Sequence, residues 1–172
     1  MHLSSTLAGV AICACLVAAP AAVLAEDLAT PTGTVMLTVS GDIAVTNAGD
    51  TAQFDREMLE ALPARTIETT TIWTEGPQIF TGVPLAALLD VVAADEVTIH
   101  ATAINDYAVD IPFEDWSGEG PMLAYARNGA PMSVRDKGPL WIVYPYDSDA
   151  EYRSEVIYSR SIWQLDRIIV GE

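Results

Sequence analysis

The sequence predicts one strand-rich, mixed α+β domain carrying two or three short helices. Three observations lead there. Apolar and polar residues alternate over 34–39 and 97–103, and a final run over 162–170 follows the same period of two, which is the signature of strands. Helical spacing is confined to short stretches at 54–62 and from Pro84 onward. No internal repeat, low-complexity tract or long linker divides the chain, so a second domain is not expected.

In chain order, 26–33 (EDLATPTG) is a polar entry segment expected to be loosely held. Val35, Leu37 and Val39 then alternate with Thr34, Met36 and Thr38 in a first strand, Ser40-Gly41-Asp42 turns, and Ile43 to Val45 is a candidate continuation. FDREMLEAL (54–62) reads as a helix with Asp55 as its N-cap, Met58, Leu59 and Leu62 on one face, and Pro63 beyond its end. Arg65 to Trp73, rich in β-branched residues, is expected to form a central strand. From Pro84 a helix presents Leu85, Leu88, Leu89 and Val92 as an apolar stripe.

The strand at 97–103 places Val97, Ile99, Ala101 and Ala103 on one face and Thr98, His100 and Thr102 on the other. Asn105-Asp106 turns into a strand from Tyr107 to Ile111, and PFEDWSGEGP is expected to be an irregular acidic loop. Asn128-Gly129 between 122–127 and 130–134 is the strongest hairpin signal. Leu140 to Tyr144 is an apolar strand bounded by prolines, 155–161 is open between a short helix and a ragged strand, and 162–170 closes the domain as a strand.

Residues 1–25 carry an apolar run from Leu7 to Leu24 and the small-residue pattern Val23-Leu24-Ala25, which reads as a secretory signal cleaved near Ala25. The expected location is therefore periplasmic or secreted. A retained anchor and a lipoprotein built on Cys15 are the alternatives to cleavage. Both cysteines, Cys13 and Cys15, fall inside that segment, as does His2. Beyond it His100 is the sole histidine, which excludes a cysteine nucleophile, thiolate ligation and a two-histidine zinc site from the rest of the chain. Eight Lys and Arg face 24 Asp and Glu, for a net charge of −16, so nucleic acid and anionic membranes are not expected partners.

Several segments together resemble the oxidoreductase molybdopterin-binding domain, the catalytic fold of sulfite oxidase and of periplasmic methionine sulfoxide reductase. They are FTGVPLAALLD (80–90), INDYAVDIP (104–112), NGAPM (128–132), KGPLWIVYP (137–145) and SIWQLDRIIV (161–170), and they span most of 34–172. The resemblance implies a sulfite oxidase-like fold and a molybdenum-ligating cysteine about a dozen residues before Gly82. Thr70, within Thr69-Thr70-Thr71, stands there. It also implies an arginine where Trp141 stands, in a loop whose basic side chains hold the anionic cofactor; Arg135 and Lys137 remain.

On that basis the expected pocket is lined by Thr70, Thr71, Trp73, Asn105, Tyr107, Arg135, Lys137, Trp141 and Tyr144. No catalytic residue is assigned and no metal ligand is expected. The favoured reading is a non-catalytic ligand-binding, sensory or accessory module without a cofactor. The alternative is a molybdopterin-dependent oxidoreductase that holds its cofactor without a protein cysteine. A small molecule, and a membrane-bound sensor or redox subunit contacted through the acidic loop Glu114 to Glu119 and the segment Asp147 to Glu155, are the expected partners.

Overall fold

The computed structural model describes residues 28–171. The expected signal at 1–25 lies outside them. The elements in order are β1 (Leu37–Gly41), β2 (Ala52–Phe54), α1 (Arg56–Ala61), β3 (Arg65–Thr69), β4 (Gln78–Pro84), α2 (Leu85–Val91), β5 (Ile99–Ala103), β6 (Ala108–Ile111), α3 (Phe113–Trp116), β7 (Met122–Arg127), β8 (Ala130–Pro131), β9 (Trp141–Val143), α4 (Glu155–Arg160) and β10 (Leu165–Val170). Short 3₁₀ turns lie at Val134–Asp136 and Ala150–Tyr152. The α+β class follows directly.

The strands form two sheets. One runs β2-β1-β10-β5-β6; the other runs β3-β4-β7-β8, with β9 also paired to β7. Among the described strands β1 and β10 make the one parallel pair, so the last described strand lies beside the first. A single apolar cluster draws on both sheets: Leu37, Val39, Ile99 and Ile168 from one, Phe80, Val83, Leu123 and Ile142 from the other. Helix α2 adds Leu85, Leu88 and Leu89, all buried as the stripe predicts. Burying each of these leucines contributes about 1.5–3 kcal/mol before chain entropy is set against it.

Four helices form among the described residues, more than expected. Phe113–Trp116, in the stretch expected to be an irregular loop, closes into one turn. Glu114 and Asp115 lie in that first turn, where a carboxylate is favourable, and Trp116 is buried with its Nε1–H donating to the Val97 carbonyl at 2.9 Å. The open segment at 155–161 is helical because Ser154 caps it, its hydroxyl accepting from the Ile157 N–H.

Strand boundaries also move. Arg65–Thr69 is an edge strand rather than a central one, and it stops at Thr69 because the next polar groups turn to Asp147. The first strand begins at Leu37, and Ile43 makes only an isolated bridge to Ala94. The closing strand begins at Leu165, since Gln164 adopts φ 56° and interrupts extended backbone. Asp55 caps α1 as expected, accepting from Met58 N–H at 3.0 Å. The Asn128-Gly129 turn joins β7 to a β8 of only two residues, with both turn residues at positive φ.

Candidate functional site

The site begins where β3 ends. The backbone N–H and hydroxyl of Thr70 donate to the two carboxylate oxygens of Asp147, at 2.6 and 2.8 Å. In return the Asp147 N–H donates to Thr69 Oγ1 at 3.1 Å. The Thr70 backbone N–H, and after it the hydroxyl, holds the Asp147 carboxyl below the usual aspartate range. Next, Thr71 Oγ1 accepts from the Trp73 N–H at 3.1 Å and pairs with Thr74 Oγ1 at 2.7 Å. This turn aims the Trp73 indole inward.

There it meets an aromatic group assembled from three other parts of the chain. Trp73 packs edge-to-face on Trp163 at 5.4 Å, on Tyr158 at 5.7 Å and on Trp141 at 5.8 Å between ring centres. Trp141 comes from β9, Tyr158 from α4, and Trp163 from the irregular link between α4 and β10. Trp141 is fully buried and donates its Nε1–H to the Ser161 carbonyl at 3.2 Å. Beneath them Tyr146 donates to Ser161 Oγ at 2.7 Å, and burial pushes the Tyr146 phenol above its ordinary range.

Over this group lies a cleft of about 390 Å³ lined by Trp73, Ala103, Asn105, Tyr107, Tyr158, Ser159, Ser161, Ile162, Trp163 and Gln164. The volume is in the range of small-molecule sites. Among the described residues no charged side chain lines it. Asp106, between two lining residues, pairs instead with Arg167. A second, more open pocket of about 400 Å³ adjoins across Trp73 and includes Arg127, Arg135 and Lys137. Lys137 Nζ sits 4.2 Å from the centre of the Trp163 ring, so a cation of the second pocket packs on an indole of the first, and Trp73 lines both.

The expected pocket residues therefore separate into groups. Trp73, Asn105 and Tyr107 line the cleft, Arg135 and Lys137 line its neighbour, and Trp141 forms the buried floor against Trp73. Thr70 and Thr71 line neither pocket and are engaged in the strand end and turn that set Trp73. Tyr144 is buried apart from them, its hydroxyl donating to Asp115 at 3.3 Å beside the Arg160–Asp115 ion pair. Sequence reasoning omitted Tyr158, Ser159, Trp163, Gln164 and Arg127. Trp163 and Gln164 lie inside a quoted segment, SIWQLDRIIV, but an assumed strand hid them as alternating faces.

The cleft is suited to binding. The Ser159 and Ser161 hydroxyls donate to the Val156 and Ile157 carbonyls at 2.6 and 2.8 Å, with no base beside either to activate it. His100 lies instead on the polar face of β5, with Nδ1 2.5 Å from Asp110 Oδ1 on the neighbouring strand. The Thr70 hydroxyl, at the position the resemblance equates with the thiolate, is bonded to the Asp147 carboxylate. No family model matches the chain, and no curated protein matches it.

Proposed function

We propose that this chain is an exported, non-catalytic module of sulfite oxidase-like fold that binds a small molecule and carries no molybdenum cofactor. The observation that carries the reading is the aromatic cleft: a ligand-sized space with four aromatic side chains, neutral hydrogen-bonding groups and, among the described residues, no charged lining residue. The Thr70–Asp147 pairing supports it from the other side, because it occupies the hydroxyl that would have to stand in for a thiolate. Coupling to a membrane-bound sensor or redox subunit, through the exposed acids Asp149, Glu151 and Glu155, completes the proposal.

The test is chemical analysis of protein purified from a host that makes the molybdopterin cofactor. Molybdenum and released pterin are expected well below one equivalent; stoichiometric amounts of both would remove the reading. One observation favours the second reading, a cofactor-dependent oxidoreductase anchored by phosphate contacts: the basic pocket of Arg127, Arg135 and Lys137. Sulfoxide reduction by cofactor-loaded protein, abolished in Lys137→Asn, would support that alternative.

A further inference from the structure

The chain has only eight Lys and Arg against 24 Asp and Glu. With a threefold excess of carboxylates, a basic side chain would ordinarily find an acidic neighbour. Arg56, Arg160 and Arg167 do so, whereas Arg65 donates to the Glu119 and Gly120 carbonyls and Arg153 forms no ion pair among the described residues. Arg127, Arg135 and Lys137 converge on one pocket and form no ion pair among the described residues. Two acids share that pocket, Glu75 and Asp136, and the Asp136 carboxylate already accepts from the Ser133 hydroxyl at 2.6 Å. The pocket is thus locally cationic on a molecule of net charge −16.

The backbone around it is costly as well. Lys137 holds φ 72° and Gln164 φ 56°, left-handed conformations that favour glycine or asparagine. They are joined by the Gln164 N–H donating to the Lys137 carbonyl at 3.2 Å. This link places the lysine's ammonium over Trp163, on the boundary between the cationic pocket and the uncharged aromatic cleft.

We propose that the two pockets act as one bipartite site for a planar aromatic organic anion, of the arylcarboxylate class. Its ring lies in the cleft against Trp73, Tyr158 and Trp163, and its anionic group extends past Trp73, which lines both pockets, to Lys137 and Arg135. Stacking supplies the affinity in the uncharged half. The cations supply selection, since a neutral ring makes no charge-assisted contact with them and an inorganic anion leaves the cleft empty. This rests on the reading of the chain as a binding module.

The experiment titrates the full chain with 1-naphthoate, with the neutral 1-naphthalenemethanol and with inorganic phosphate, following tryptophan emission and heat of binding. Molybdenum and pterin content are measured on the same preparation. Naphthoate is expected to bind at least about tenfold more tightly than either comparison probe. Lys137→Asn, which suits the left-handed backbone, and Arg135→Gln are each expected to weaken naphthoate about three- to tenfold while leaving naphthalenemethanol unchanged. Equal affinity for the acid and the alcohol, no naphthoate binding at millimolar concentration, or indifference to both substitutions overturns the bipartite site. Bound pterin would remove the binding-module reading by itself, whereas pterin-free protein that fails to prefer naphthoate removes only the proposal made here.

Discussion

Asp147 shows how one side chain can decide what a strand end is for. Its carboxylate takes both donors of Thr70 and its N–H reaches Thr69, so three hydrogen bonds close the gap between β3 and the loop after β9. The Asp147 carboxyl is lowered in the folded state, so its contribution is present above the unfolded aspartate value of 3.8 and is lost as pH falls through the lower folded value. Asp55 behaves alike, lowered first by the Met58 N–H and then by that of Gly33. Replacing Asp147 with Asn is therefore expected to lower Tm at neutral pH, with the difference from the parent chain shrinking as the pH falls below the ordinary aspartate value of 3.8. Thermal melts across that range check it, and a difference independent of pH would refute the linkage.

At the scale of elements, the site depends on close sheet packing and on one short helix. β4 crosses β7 so tightly at Gly82 that an added Cβ would lie 2.0 Å from the Leu123 carbonyl oxygen, at the position where the β4–β7 register shifts. Gly82→Ala is expected to destabilise the fold by at least about 2 kcal/mol, seen as a lower urea midpoint. A cost below about 0.5 kcal/mol would mean that the sheet yields at this point. Gly82 stands just before the helix expected from Pro84, and the pressure on it comes from β7, a strand distant in the chain. Helix α4 is different. Ser154 and the spacing of its residues permit a helix, but only its packing brings Tyr158 to Trp73 while Ile157 enters the core.

Across the whole molecule, charge and aromatic content are distributed unequally. Carboxylates outnumber basic side chains threefold, and three cations without an ion pair among the described residues are gathered at one pocket beside the aromatic group. The net charge of −16 leads to a third expectation, that a fluorescein-labelled DNA duplex shows no rise in anisotropy with protein at about 0.15 M salt. Saturable binding there would show that the cationic pocket outweighs the global field. Neutralising that pocket with Lys137→Asn and Arg135→Gln together is expected to lower Tm by only a few degrees, since neither side chain carries an ion pair among the described residues and the Lys137–Trp163 cation–π contact is worth about 0.5–1 kcal/mol. A fall of many degrees in a thermal melt would assign them a structural role.

The sequence by itself determined the α+β class, the α2 stripe, the Asp55 cap, the Asn128-Gly129 hairpin and the strong acidity. Each of these is carried by residues close together in the chain or by composition, where periodicity, turn chemistry and charge act locally. It also singled out Trp73, Asn105, Tyr107, Arg135 and Lys137, which the fold brings to two adjoining pockets. Tertiary structure alone decided that Arg65–Thr69 is an edge strand, that Thr70 is bound to Asp147, and that Tyr144 lies apart at Asp115. It also decided that Trp163 and Tyr158 complete the cleft. Those outcomes depend on pairings between segments tens of residues apart, and no local propensity specifies which distant partner a strand edge, a hydroxyl or an indole ring will meet.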